Sequence, residues 1–299
     1  MIKASVDTLM PVYEKLFNSI LNQGTMPQTW CGGLITPTYK LGRRSDPATH
    51  RGICVSSCLG KLFCSILNQR LLEYIVSLNI LHKSQIGFSP THRTSDHVFT
   101  LLTLIDKYVH NHNEKIYACF VDSKKAFDSV WHDGLMNKLP QIDVHDSFCN
   151  LIKSLHLNSS CSIKIAQKQT QSFRYARGVR QGCIVSSLLF KLYINDLPFA
   201  FENTLSDPFV LPNGAKLNSL LYADDLIILS RSKTGLQICL DKLSSFCTSW
   251  MMKINPKKTK IMVFQKRARK NADFHCLIDS QIIDVVLYNV LIGKFFSVT

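Results

Sequence analysis

The first periodic stretch, residues 5–22, sets Leu9, Val12, Tyr13, Leu16, Phe17, Ile20 and Leu21 at alternating steps of three and one. That is the stripe of an amphipathic helix, and Asn22, Gln23 and Gly24 stop it. The same spacing predicts helices over 57–79, 94–111, 140–157 and 234–252, and the apolar run CIVSSLLFKLYINDL predicts another after Gly182. Strand-like runs lie between them. Leu34 to Thr38 contains Pro37, which points to a sheet edge. Ile116 to Val121 is short and apolar on both faces, and IMVF at 261–264 repeats that character. SIKIA and SFRYA alternate like the two arms of a hairpin. In LLYADDLIILS, residues 220–230, two aliphatic runs flank Asp224 and Asp225, so a hairpin with an acidic pair at its tip is expected.

Composition narrows the class. The 299 residues are 46% hydrophobic and 19% charged, enough to bury a sizeable core. No apolar run is read as approaching the ~20 residues of a membrane span, no signal peptide precedes the chain, and neither repeats nor a low-complexity linker mark a domain boundary. Eleven cysteines are scattered without a CxxC pair, and Cys54 and Cys58 lack a following ligand pair. This argues against zinc and for reduced, mostly buried thiols in an intracellular compartment. His110 and His112 read as surface.

Charge adds a direction. A formal net charge of +14 serves solubility or a polyanionic partner, since a basic groove gains affinity by releasing counterions from phosphates. Lys40, Arg43, Arg44 and Arg51 cluster around one Gly/Arg-rich loop. Residues 253–270 carry eight Lys and Arg and no acid. Either group is solvated surface or, beside a phosphate-handling site, an electrostatic track.

An Asp-Asp pair at a turn is ordinary turn chemistry by itself. Asp122, however, stands at the C-terminal end of the Ile116–Val121 strand, a position from which sheet enzymes present site residues. Asp128 reads as a cap of the helix that follows. Gly178 and Gly182 bracket Val179-Arg180-Gln181 and permit close backbone approach just before a helix. Three strand-end acids, Asp122, Asp224 and Asp225, in a basic chain suit two-metal phosphoryl transfer. There one ion activates a 3′-hydroxyl and the other bears the triphosphate.

These motifs, taken in order, resemble the reverse transcriptase domain of non-LTR (LINE-type) retrotransposons. ITPTYK and HRGICVSSCLGKLF come first, then FVDSKKAFDSVWHDGL, GVRQGCIVSSLLFKLYINDL, LLYADDLIILS and WMMKINPKKTKIMVF. The resemblance covers about residues 25–295 and implies an α+β right-hand polymerase with fingers and palm. Its antiparallel palm sheet would pack on helices, with the thumb largely absent. It divides the chain into an N-terminal amphipathic helix, 1–24, and a reverse transcriptase domain, 25–296. The implied activity is RNA-directed DNA polymerization on an RNA template with a DNA primer and dNTPs, using two Mg²⁺ ions, for which Mn²⁺ can substitute.

Carried over residue by residue, the resemblance makes Asp122, Asp224 and Asp225 metal ligands, with the carbonyl of Ser123 as a further one. Phe127 stands where the family's bulky gate faces a ribose 2′-OH, and Lys40 and Arg51 match positions that embrace the triphosphate. Gln181 and Gly182 match the loop at the templating base pair, and Tyr222 falls at the primer. Lys258 matches a lysine that protonates pyrophosphate. The implied location is intracellular: nuclear for an element that primes at its target, otherwise cytoplasmic. No membrane partner is expected, and whether a nuclease- or thumb-bearing partner exists is left open.

Departures from the pattern accompany the matches. The family's Gly-Phe-Arg is Gly87-Phe88-Ser89, a common Pro is Ser187, and the primer-holding Tyr-x-Tyr-Leu-Gly is YNVLIG, 288–293. With the chain ending at Thr299 and no nuclease module preceding, the expectation is a truncated or decayed copy whose metal site survives. A non-catalytic nucleic-acid-binding remnant is the alternative. An RNA-templated RNA polymerase fits less well, because such enzymes more often carry Gly at Ala223 and lack a bulky Phe127.

Overall fold

The short apolar runs separate into two sheets, and the periodic stretches pack on them as helices. The computed structural model describes residues 6–40, 42–89, 91–266 and 274–286. In chain order, α1 (Val6–Gln23), α2 (Gln28–Cys31), β1 (Gly32–Tyr39), β2 (His50–Val55), α3 (Cys58–Ser77) and α4 (Thr94–Leu104) come first. Next are β3 (Ile116–Val121), α5 (Ala126–Ser129), α6 (His132–Gln141), α7 (Asp146–Leu157), β4 (Ser160–Ile165), β5 (Lys168–Gln169) and β6 (Phe173–Arg174). Then follow α8 (Ile184–Tyr193), α9 (Asp196–Glu202), β7 (Phe209–Val210), β8 (Lys216–Leu217), β9 (Ser219–Tyr222) and β10 (Asp225–Ser230). The last are α10 (Lys233–Ser249), β11 (Lys260–Phe264), β12 (Cys276–Ile278) and β13 (Gln281–Val286).

Two units result. One joins Met1–Ile80 to Val130–Leu189, the other Leu81–Ser129 to Phe190–Thr299. In the first, strands run β2-β1-β4-β5, with β6 also on β4. β1 therefore lies inside its sheet, not at the edge that Pro37 suggested. Its parallel pairing with β4 ends at Ile35, so the missing Pro37 N–H is needed on no second ladder. Rings of Phe17 on α1, Trp30 on α2 and Phe63 on α3 meet at 5.3–6.2 Å and anchor these helices together. The single helix expected over 140–157 is two: α6 ends at Gln141 after Pro140, and Asp143 (φ 56°) takes the left-handed conformation that breaks the run before α7.

In the second unit the sheet order is β12-β13-β11-β3-β10-β9. β3 is its axis, buried at all six positions, which explains an unbroken apolar run where alternation would mark a half-exposed strand. One face, with Ile116, Ala118, Phe120, Ile227, Leu229, Met262 and Phe264, shares a core with Leu101, Leu104, Ile105, Tyr108 and Val109. The helix expected over 94–111 stops being α-helical at Leu104 and winds as a π-helix through Asn111, with Ile105, Tyr108 and Val109 still buried. α10 packs on β3 and β10. Asp128 proves to lie within α5 and does not precede it.

The apolar stretch after Gly182 was underestimated. Ile184–Glu202 is long and apolar enough to cross a membrane by length and composition, but 72% of it is buried within the protein, where α8 and α9 serve as core. Inside it Lys191 is 1% exposed, and its Nζ donates to Ser89 Oγ at 2.9 Å. Burial pushes its pKa down from 10.5 to about 8. Below pH ~8 both folded and unfolded states hold the proton, and the cost of burying the charge is fully present. As pH rises from there to the unfolded value, the folded state releases its proton first and stability increases. Lys191→Met is accordingly expected to stabilise the protein by about 2 kcal/mol at neutral pH. Urea unfolding should show that gain shrinking toward zero near pH ~10.5.

Candidate active site

Strand register decides which acids meet. Val121 at the end of β3 pairs with Leu226 on β10, and Asp225 pairs with Tyr222 across the hairpin. Continuing the β3–β10 register by one residue sets Asp122 against Asp225, on the sheet face that carries Phe120 and Ile227. Ala223 and Asp224 form the two-residue turn, with Ala223 left-handed at φ 57°. All three acids thus stand at one end of the second unit's sheet. Among the described residues no three His, Cys, Asp or Glu side chains gather tightly enough to hold a metal as they stand. The donors are nonetheless hard oxygens, the type that Mg²⁺ takes, and adjacent anions separate until a cation offsets their repulsion.

Two clamps fix this end, and neither was anticipated from the sequence. Asp122 receives hydrogen bonds at its carboxylate from Asn255 Nδ2 (3.1 Å) and at its carbonyl from Asn255 N (2.8 Å). Its own N–H donates to Thr259 Oγ1 at 3.1 Å. Ser123 bridges to Ile254, and Lys124 N donates to Lys253 O at 2.7 Å. The turn that carries exposed Lys258 is therefore stitched to the end of β3 that carries Asp122. The second clamp is Gln85, whose Oε1 accepts from Ala223 N and Gly87 N, each at 3.1 Å, while its Nε2 donates to Ala223 O at 3.3 Å. Residues around Gln85 run beside β9 as a parallel bridge to Leu221. Asn255 lay inside a recognisable motif, whereas Gln85 sat in a polar loop with no periodic signal.

Gly87 has a specific reason to be glycine. A Cβ there would overlap the backbone nitrogen of Ala223 and lie 2.9 Å from the Tyr222 carbonyl carbon. Backbone cannot rotate away as a side-chain tip can. Gly87→Ala is expected to cost about 3 kcal/mol and to displace the acidic tip, read as a lowered denaturation midpoint together with reduced activity.

Aromatic rings close the same region. Phe127 stacks on Phe190 with centroids 4.4 Å apart and 17° between planes, and it meets Phe88 edge-on at 6.5 Å. Phe88 lies 6.3 Å from Tyr222. Asp122, Ser123, Phe127, Tyr222, Asp224, Asp225 and Lys258 therefore all belong to the second unit.

The remaining candidates belong to the first unit. Exposed Lys40 follows β1, with its N–H on Thr49 O at 2.9 Å, and exposed Arg51 on β2 pairs with Thr38 of β1. Gln181 O accepts from Cys54 N at 2.8 Å, docking the glycine loop on β2. Gly182 adopts φ +106°, and a Cβ would lie 2.8 Å from Cys54 O. β2 thus holds Arg51, Gln181 and Gly182 along one strand. The YNVLIG stretch lies outside the described residues.

The family model described as reverse transcriptase (RNA-dependent DNA polymerase) matches residues 41–278. The chain is 29% identical to the probable RNA-directed DNA polymerase from transposon BS of Drosophila melanogaster, over 82% of this chain and 27% of that protein. It is 26% identical to the RNA-directed DNA polymerase from mobile element jockey of the same species, over 84% of this chain and 27% of that protein. The retrovirus-related Pol polyprotein from type-1 retrotransposable element R2 of Nasonia vitripennis is 28% identical, over 82% and 23% respectively. The chain thus spans about a quarter of the length of these curated relatives. Among solved structures, truncated apo telomerase from Candida tropicalis superposes with TM-score 0.61 at 18% identity, covering 82% of this chain and 52% of that one. Telomerase from Candida albicans in complex with a telomeric RNA fragment gives 0.60 at 16% identity, covering 87% and 47%.

Proposed function

The chain belongs to the reverse transcriptase (RNA-dependent DNA polymerase) family, among the non-LTR retrotransposon enzymes, and on that premise we propose that it copies RNA into DNA. Template-guided attack of a primer 3′-OH on a dNTP is the reaction. The fold is that of a right-hand polymerase palm and fingers, and the family uses divalent metals. The observation that carries the proposal is the β3–β10 register, which sets Asp122 beside the Asp224–Asp225 tip at one sheet end.

In this reading Asp122, Asp224, Asp225 and the Ser123 carbonyl hold two Mg²⁺. When bound, those ions supply charge neutralisation for the triphosphate and acidify the 3′-hydroxyl. The chain's own groups do the rest. Asn255 and Thr259 keep Asp122 from turning away from the sheet end. Phe127, wedged on Phe190, blocks a ribose 2′-OH. Tyr222 supports the primer terminus, and Lys258 gives a proton to the departing pyrophosphate. Gln181 and Gly182 meet the templating base pair, while Lys40 and Arg51 meet triphosphate oxygens as cationic donors.

The test is incorporation of dTTP on an oligo(dT)-primed poly(rA) template with Mg²⁺ or Mn²⁺. Template-dependent extension, stronger with dTTP than with UTP, is expected. The net charge of +14 also suits a protein that only binds nucleic acid. Salt-sensitive RNA binding with no extension under either metal would establish that second reading and overturn the first.

A further inference from the structure

Two sulfurs of the first unit's sheet face each other over a glycine. Cys54 lies on β2 and Cys161 on β4, with β1 between them, and their Sγ atoms are 3.9 Å apart. Gly33 makes the room. It pairs with Cys161, and a Cβ on it would lie 2.3 Å from Cys54 Sγ and 3.2 Å from Cys161 Sγ. Both cysteines are buried, while Gly52, next along that face of β2, is exposed and leaves a short way in. Backbones two strands apart are ~9–10 Å distant, beyond the ~7 Å that a disulfide spans. The pair therefore cannot close on itself while β1 separates it.

A cation without a counter-ion lies at the same end of this sheet. Arg180 is 5% exposed; its Nε donates to Ser159 Oγ at 2.7 Å and one Nη to Trp30 O at 3.3 Å. The other Nη is buried with no hydrogen-bond partner among the described residues. Neither acceptor is an anion, and an uncompensated buried guanidinium is costly. Its anchors sit just ahead of the sulfur pair: Ser159 leads into β4 toward Cys161, and Trp30 into β1 toward Gly33. Arg180 acts electrostatically on both sulfurs.

Sulfurs at 3.9 Å can share a metal ion. With metal–sulfur bonds of ~2.3 Å, an ion between them subtends an S–metal–S angle of about 120°, and a small outward turn of either side chain opens it toward linear. Thiolates select soft ions. Structural zinc takes four ligands, and among the described residues no group of three His, Cys, Asp or Glu is gathered to hold a metal. Copper(I), soft and monovalent, is satisfied by two. Charge agrees with that choice, since two thiolates and one copper(I) sum to a single negative charge, which the Arg180 guanidinium offsets.

We propose that Cys54 and Cys161 form a two-coordinate copper(I) site, with Gly33 leaving the space and Arg180 balancing the charge. On binding, both S–H bonds break, two protons pass to water and two copper–sulfur bonds form, with no change of oxidation state. The ion ties β2 to β4 and so stiffens the strand on which Gln181 and Gly182 dock. This site goes beyond the polymerase reading and stands without it.

The whole reduced chain, loaded anaerobically with copper(I) in competition with the chelator bathocuproine disulfonate, should keep about one equivalent. X-ray absorption should then show two sulfur neighbours at ~2.3 Å. Cys54→Ser and Cys161→Ser should each lose that equivalent, while Cys58→Ser, at an exposed thiol, keeps it. Copper(I) should raise the melting temperature of the parent and not of the Cys54 or Cys161 variant. No copper kept by the parent, three or more sulfur neighbours, or retention by either of those two variants overturns the proposal. The absorption spectrum needs only the unmutated chain, so it decides the matter even where a variant fails to fold.

Discussion

Asp224→Asn and Asp122→Asn proteins are expected to remain folded and to lose at least ~10³-fold of template-dependent incorporation. Asn keeps the shape of Asp and removes only the charge and one acceptor. At Asp122 the remaining carbonyl oxygen can still accept from Asn255 Nδ2, now 3.1 Å from the carboxylate, so the clamp is retained. At Asp224 the turn is held through Gln85 and the Ala223 backbone, which the change does not touch. Urea midpoints should therefore stay within about 0.5 kcal/mol of the parent or rise slightly, because one of the crowded anions is gone. Mg²⁺ should raise the melting temperature of the parent and not of the variants, a readout independent of turnover. Full incorporation by either variant would remove the acids from the catalytic role.

Replacing Phe127 by Val is expected to lower discrimination against ribonucleotides by ~10²-fold, measured as the ratio of kcat/KM for dTTP and UTP. The ring is held by its stack on Phe190 at 4.4 Å and by the Phe88 edge at 6.5 Å, which fixes its position for the role proposed above. Valine removes the far half of that wall. Because the site is half-buried, the accompanying stability cost should be about 1–2 kcal/mol, separable from selectivity by denaturation. An unchanged ratio with normal dTTP use would place the gate elsewhere.

Much of this site is legible in the residues because buried strands and turns leave local signals. LLYADDLIILS announces a hairpin, and β9 and β10 form it with a two-residue turn. Ile116–Val121 is apolar on both faces because sheet neighbours and helices cover it. What the sequence hides is pairing at long range. A separation of 102 residues between Asp122 and Asp224 is compatible with any number of arrangements, and only the β3–β10 ladder selects one. The interior place of β1 depends on β4, whose parallel partner lies more than a hundred residues away. Gln85, Asn255 and Thr259 act by hydrogen bonds, which carry no hydrophobic period. The break after Pro140 had a local signal, but one end of a periodic run obscured it.

The Thr259 clamp on Asp122 joins residues 137 apart, and the Asn255 bond joins residues 133 apart. A ribosome working from the N-terminus releases Asp122 well before either partner exists. At ~5–20 residues per second, the nascent chain carries its first carboxylate without these partners for about 7 to 27 seconds. The β3–β10 ladder is complete in the chain by Ser230, so the hydrogen bonds that hold Asp122 can form only after the strands that bring the acids together have been made.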